Sequence, residues 1–124
     1  MFLLRVEAEF AAAHFLSHYH GKCENLHGHN YRVRLWIEGS LLNEGGMIAD
    51  FSVLKKTLRE VTGLLDHKNL NDMEIFKNDP SAERIAKFIH DEVKARFILQ
   101  DEKIRPHAVD VFETRTSMAR YKEK

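Results

Sequence analysis

From Phe2 to Phe10 the even positions are Phe2, Leu4, Val6, Ala8 and Phe10, while Arg5, Glu7 and Glu9 take odd ones. That is the period of a strand with one buried face. A second stretch repeats it: Tyr31, Val33, Leu35 and Ile37 oppose Arg32, Arg34, Trp36 and Glu38. Two such segments joined by a polar reversal, through His18-Tyr19-His20-Gly21, describe a hairpin. Carrying each parity outward turns His14 inward on the first strand and His27 and His29 inward on the second. The reading requires that no bulge falls between the histidines and the regular strand, Gly28 being where one would sit.

The rest of the chain changes period. After the turn signal Asn43-Glu44-Gly45-Gly46, Asp50 is placed to cap a helix with the stripe Leu54, Leu58, Val61 and Leu65. Gly63 weakens its last turn and leaves Asp66-His67 at the helix end or just beyond. Asn78-Asp79-Pro80-Ser81 then breaks the chain and caps a second helix, with Ile85, Phe88, Ile89, Val93 and Phe97 as its stripe. Strand formers return at Val109, Val111 and Phe112, and Met118–Tyr121 reads as a short last strand after the polar turn at Thr114–Ser117. The expected order is ββααββ, an α+β fold with a four-stranded antiparallel sheet and both helices on one face. Such a sheet has two open edges, which pairing with further copies of the chain would cover.

Composition narrows the function. The 124 residues suit one domain, 1–124, that needs no metal merely to fold. Lys plus Arg and Asp plus Glu number 19 each, so no field of one sign argues for nucleic acid or an anionic membrane. A single cysteine allows no internal disulfide, and neither a secretion signal nor a membrane-length apolar run is visible. A soluble protein in a reducing, cytoplasmic setting is the expectation.

The chemistry is concentrated in Cys23-Glu24-Asn25-Leu26-His27-Gly28-His29. His27 and His29, projecting from one face of a strand, can grip one ion, and His14 on the neighbouring strand supplies a third nitrogen. Zn2+ suits three neutral imidazoles, and three donors leave one coordination position open. His18 and His20 form another His-x-His pair, placed in the reversal and read as surface residues. Cys23, four residues before His27 and beside Lys22, sits where a cation or zinc would lower its pKa. It is read as a catalytic thiolate, or else as a fourth ligand closing a structural site. A thiol needs a base and the base an orienting carboxylate, which His67 and Asp66 provide. Glu113, at the end of a β-rich segment, is a partner for an amidine-like pair of N–H groups.

Several separated motifs carry a resemblance across nearly the whole chain. They are Phe10-Ala11-Ala12-Ala13-His14, Cys-x-x-x-His-Gly-His from Cys23 to His29, Met47-Ile48-Ala49-Asp50-Phe51, Leu65-Asp66-His67-x-x-Leu70-Asn71, Pro80-Ser81-Ala82-Glu83, and Glu113-Thr114-x-Thr116-Ser117-x-Ala119-x-Tyr121. The chain resembles the 6-pyruvoyltetrahydropterin synthases and their relatives, the 6-carboxytetrahydropterin synthases of the queuosine (7-deazaguanine) pathway. The resemblance implies the tunnelling fold, in which sheets of several subunits join into barrels and two trimers stack into a hexamer with active sites between subunits. It implies zinc on His14, His27 and His29, Cys23 as proton-abstracting thiolate, Asp66 and His67 acting from a neighbouring chain, and Glu113 anchoring the pterin. Ser81 and Glu83 match a family segment near the pterin pocket. The implied substrate is 7,8-dihydroneopterin triphosphate, and the implied enzyme is a zinc-dependent lyase.

Glu24, directly after Cys23, departs from the common pattern. It resembles a branch that uses glutamate near this position and cleaves dihydroneopterin to 6-hydroxymethyl-7,8-dihydropterin for folate. A carboxylate suits a retro-aldol step and a thiolate suits C–H abstraction, so both activities, a pyruvoyl-forming reaction, and a non-catalytic zinc-stabilised module all stand beside the carboxytetrahydropterin reading.

Overall fold

The computed structural model describes residues 1–18, 25–100 and 103–124. The two alternating segments form long strands, β1 (Phe2–His14) and β2 (His27–Gly39). They pair antiparallel without interruption from Phe2↔Gly39 to His14↔His27, with Ala13 opposite Gly28. The condition on Gly28 is therefore met, and the parities of the three histidines hold to the end of the hairpin. Helix α1 (Phe51–Gly63) starts where Asp50 accepts the Ser52 N–H, and it ends at Gly63, so that Leu65, the last position of the expected stripe, lies in the turn beyond it. Helix α2 (Ala82–Leu99) is capped by Ser81, whose hydroxyl accepts the Arg84 N–H, a contact of about 1 kcal/mol.

The sheet differs from expectation at one edge. Its order is β3-β1-β2-β4-β5, with β4 (Arg105–Thr114) and β5 (Ser117–Tyr121) completing an antiparallel run, and β3 (Lys68–Asn69) added parallel to β1. The sheet is thus five-stranded and mixed rather than four-stranded and antiparallel. The cause lies just upstream: Ala11 donates its N–H to the Asp66 carboxylate at 2.9 Å, and the His67 N–H donates to the Ala11 carbonyl at 2.6 Å. Once those bonds dock the chain on β1, the next two residues continue the ladder. Two 3-10 turns, Leu70–Asp72 and Glu74–Phe76, then lead to α2.

One face of the sheet carries the core. Val6 and Phe10 of β1, Tyr31, Val33, Leu35 and Ile37 of β2, and Val109 and Val111 of β4 pack with Leu54, Leu58 and Val61 of α1 and with Ile85, Ile89, Val93 and Phe97 of α2. The other face is polar and charge-alternating. Glu7, Arg34, Asp110 and Arg120 stand opposite one another across β1, β2, β4 and β5. Arg34 binds Glu7 at 2.7 Å, and Arg120 binds Asp110 through two bonds of 2.6 and 3.0 Å. Alternating sign lets each charge find a partner, so this face needs no apolar cover. Among the described residues, β1 from Phe2 to Phe10 has no strand on its outer side, and β5 is the opposite edge.

Among the described residues no helix is long and apolar enough to cross a membrane.

Candidate functional site

The strand parities bring His14, His27 and His29 together at the end of the sheet next to the start of α2. Backbone carbonyls fix the orientation of two of the rings. His14 Nδ1 lies 2.8 Å from the Pro80 carbonyl oxygen, and His27 Nδ1 lies 2.7 Å from that of Asn25. A carbonyl only accepts, so in both rings Nδ1 carries the hydrogen and Nε2 presents its lone pair. Those two Nε2 atoms face each other at 3.0 Å. Two lone pairs at that separation repel unless a cation lies between them.

A proton does not account for the rest of the cluster. His29 Nε2 is buried without a hydrogen-bond partner, although Glu113 Oε1 lies 3.1 Å away, because the two are not aligned as donor and acceptor. The same carboxylate oxygen is 3.8 Å from His14 Nε2. Donor atoms of His14, His27, His29 and Glu113 all lie within 4.8 Å of one another. Tetrahedral zinc with bonds of about 2.0–2.1 Å separates its donors by about 3.3 Å, and the observed distances scatter around that value. The residues therefore fit a zinc ion, with the Pro80 and Asn25 carbonyls in the outer positions that orient ligating histidines.

The electrostatics agree. Burial lowers the His29 pKa, with His14 and His27 adding to that effect against the pull of Glu113, so the ring favours its neutral, ligating form. Burial, and then the Glu113 charge, raise the Tyr31 phenol far above its usual range. Its hydroxyl, 3.2 Å from His14 Nδ1, stays protonated and acts as an orienting contact.

The other expected site residues fall elsewhere. Asp66 and His67 pair at 2.9 Å, and the Ala11 N–H, followed by His67, holds the Asp66 carboxyl below its usual range. His67 adopts a left-handed backbone, φ 58°, which is uncommon for a residue with a side chain. Its side chain is 82% exposed and borders an open cavity of about 480 Å3 with Ala11, Ala13, Gly28, His29 and Asn30. Asp66 borders a second cavity, of about 520 Å3, with Glu9, Asn30, Arg32, Phe112 and Arg115 on the charged face of the sheet. Ser81 is occupied as the α2 cap, and Glu83 is exposed in the first turn. Cys23 and Glu24, like His20, lie outside the described residues. His18 is not among the metal-facing groups; its Nδ1 bonds Asp79 at 2.5 Å.

Sequence reasoning missed two backbone carbonyls and one side-chain clasp, and gave Glu113 a different place. The Pro80 and Asn25 carbonyls are backbone groups with no residue signature. Glu113 was expected at a ligand, not among the histidines, although continuing the parity Val109, Val111, Glu113 points it to their side of the sheet. The Asp79 clasp was also unexpected. Asp79 accepts from the Ser17 hydroxyl at 3.0 Å and the His18 N–H at 3.2 Å, while Asn71 exchanges two bonds with the Phe15 backbone. Together they tie the chain beyond His14 to the segment before α2.

The clasp has a pH consequence. Its bonds, that from the His18 side chain foremost, hold the Asp79 carboxyl at about 2. Because this lies below the unfolded value of about 3.9, the stabilisation is complete above that value and is lost as pH falls toward about 2. Asp79→Asn is expected to lower the thermal midpoint at neutral pH and to flatten its decline between about pH 4 and pH 2. Thermal melts of both proteins across that range check it; superimposable profiles would show that the clasp contributes nothing.

Comparison with known proteins agrees with this geometry. The sequence profile of the family described as PTPS, 6-pyruvoyl tetrahydropterin synthase, matches residues 3–124. The chain is 41% identical to the 6-carboxy-5,6,7,8-tetrahydropterin synthase of Synechocystis sp. over 98% of its own length and 93% of the relative's. It is 39% identical to the enzyme of the same name from Bacillus subtilis, over 99% and 86%. The solved structure of Caenorhabditis elegans 6-pyruvoyl tetrahydropterin synthase superimposes with a TM-score of 0.85 at 28% identity, covering 99% of this chain and 96% of that one. A match that runs from the third residue to the last, in sequence and in fold, makes this chain a member of the 6-pyruvoyl tetrahydropterin synthase family.

Proposed function

We propose that the chain is a zinc-dependent 6-carboxy-5,6,7,8-tetrahydropterin synthase acting on 7,8-dihydroneopterin triphosphate in queuosine biosynthesis. The observation that carries this reading is the convergence of His14, His27 and His29, with the Nε2 lone pairs of His14 and His27 facing each other, in a chain whose relatives bear that name. Zinc bound there supplies Lewis-acid polarisation of the substrate's side-chain hydroxyls and a template for them.

The protein's own groups handle the protons. Cys23 takes the proton from the side-chain carbon next to the pterin ring, whose C6=N5 imine accepts the electron pair. His67, oriented by Asp66, moves the proton at the next carbon. Oxidation of the side chain is balanced by reduction of the ring, so no redox cofactor is consumed. Elimination of triphosphate and hydrolytic loss of acetaldehyde leave the 6-carboxy product. Glu113 anchors the pterin through its amidine-like N–H pair, and Ser81 and Glu83 border the pocket. The assembly we propose is a cytoplasmic homo-oligomer, a hexamer of two stacked trimers. Its support is the unpaired outer side of β1 and the open edge at β5, which further copies would cover.

Glu24 beside Cys23 supports a second reading, cleavage to 6-hydroxymethyl-7,8-dihydropterin. One experiment separates the possibilities. Zinc-loaded protein given 7,8-dihydroneopterin triphosphate should yield 6-carboxytetrahydropterin, and Cys23→Ala should abolish it while keeping zinc and fold. Hydroxymethyldihydropterin that survives Cys23→Ala but not Glu24→Ala would establish the second activity; a pyruvoyl product would mark the other branch. Loss of zinc in Cys23→Ala would instead indicate a closed structural site. If neither product forms, the enzymatic assignment fails.

A further inference from the structure

Lys77 and Asn78, neighbours that both carry side chains, hold a left-handed backbone at φ 51° and 62°. Asparagine tolerates that region, but lysine is rare there, and two such residues in succession persist only where the surroundings over-determine them. The chain has little choice here. The second 3-10 turn ends at Phe76, and Asp79 precedes a proline, which disfavours helical backbone at that residue. Lys77 and Asn78 therefore make the turn that carries Pro80 to the end of β1. A turn needed only to start α2 would be less strained with glycine at position 77.

The Asn71 side chain is its clamp. Asn71 accepts the Phe15 N–H at 2.8 Å, and its NH2 group donates to the Phe15 carbonyl at 2.9 Å and to the carbonyl and side-chain oxygens of Asn78 at 3.1 and 3.0 Å. One amide thus fastens the left-handed turn to the residue directly after His14. From the other side, Arg84 of α2 donates to the Phe76 carbonyl at 2.7 Å. Pro80 has no N–H of its own with which to fix the segment, yet its carbonyl oxygen lies 2.8 Å from His14 Nδ1. A carbonyl in that place holds the tautomer whose Nε2 is open to a metal.

We propose that Asn71 is a positioning residue for the metal site: through the strained Lys77–Asn78 turn it aims the Pro80 carbonyl at His14 Nδ1 and so keeps His14 Nε2 unprotonated and facing the ion. Asn71 itself makes no contact with ion or substrate. The proposal rests on the zinc reading above.

The test reads zinc affinity and, without metal, the tautomer of His14. Asn71→Asp keeps the acceptor for the Phe15 N–H and loses every donor, so zinc affinity, measured against a chromophoric chelator, is expected to fall about 10- to 100-fold, the range for loss of an outer-shell partner. Long-range proton–nitrogen correlation spectra of the metal-free proteins should show His14 as the Nδ1–H tautomer in the wild type and as a mixture in Asn71→Asp. Adding Lys77→Gly should recover about 5-fold or more of the lost affinity, because glycine holds a left-handed turn without the clamp. Asn71→Ser, which loses the amide donors without adding a charge, carries the same readings if the aspartate variant does not fold. Zinc affinity equal to wild type in a folded variant, an unchanged His14 tautomer, or a loss that Lys77→Gly leaves in place overturns the proposal. A wild type that binds no zinc overturns the metal reading beneath it, whatever the tautomer spectra show.

Discussion

His29→Ala is expected to lose zinc and turnover together while keeping its fold. The His29 ring makes no hydrogen bond among the described residues, and its buried Nε2 has only the metal position to serve. Removing it therefore leaves no partner stranded, and the metal-free variant should match metal-free wild type within about 1 kcal/mol. With two histidines remaining, turnover should fall by more than about 100-fold, the upper end of what an outer-shell change alone costs a metal site. Zinc should raise the wild-type melting temperature and leave that of His29→Ala unmoved, because a ligand stabilises only the state that binds it. His14→Ala is the contrasting case. His14 is almost fully buried and bonds the Pro80 carbonyl, so its loss leaves that acceptor unpaired at a cost of about 1–3 kcal/mol and the variant is destabilised even without metal. Elemental analysis, melts with and without zinc, and the carboxytetrahydropterin assay decide the matter; stoichiometric zinc in His29→Ala would remove His29 from the metal site.

The contrast between these two histidines shows what the sequence made legible. That all three imidazoles share a face followed from a period of two and an unbroken register, and the pairing of Ala13 with Gly28 bears it out. That His14 is locked and His29 free did not follow, because the lock is a backbone carbonyl of a proline remote in sequence. β3 was illegible for a related reason. Two residues carry no periodicity, and their pairing is a consequence of Asp66 and His67 docking on the Ala11 backbone. The helices were read correctly from stripe and cap, since Asp50, Ser81 and the apolar positions act locally. Glu113 lies between these cases: its side of the sheet follows from the parity of Val109 and Val111, but its reach into the cluster depends on a bulge set by the turn after it.

Mixing two inactive variants, His29→Ala and His67→Asn, is expected to restore about one quarter of wild-type activity. The three imidazoles project to the helix-bearing side of the sheet, whereas Asp66 borders a cavity on the charged side and His67 is held on the outer edge of β1 by Ala11. Within one chain His67 and His29 border one open cavity, but no hydrogen bond or ion pair joins His67 to the cluster among the described residues. Under the proposed assembly the base for each site comes from another copy. Asparagine tolerates the left-handed backbone that His67 adopts, so this substitution removes the imidazole and leaves the local fold intact. In randomly mixed oligomers a site works only when its metal comes from the His67→Asn chain and its base from the His29→Ala chain, which occurs for about one site in four. Refolding the two together, or leaving them to exchange subunits, and then assaying product reads this directly. An absence of recovery in verified mixed oligomers would place the action of His67 inside its own chain, and would require the loop bearing Asp66 and His67 to leave the Ala11 backbone during turnover.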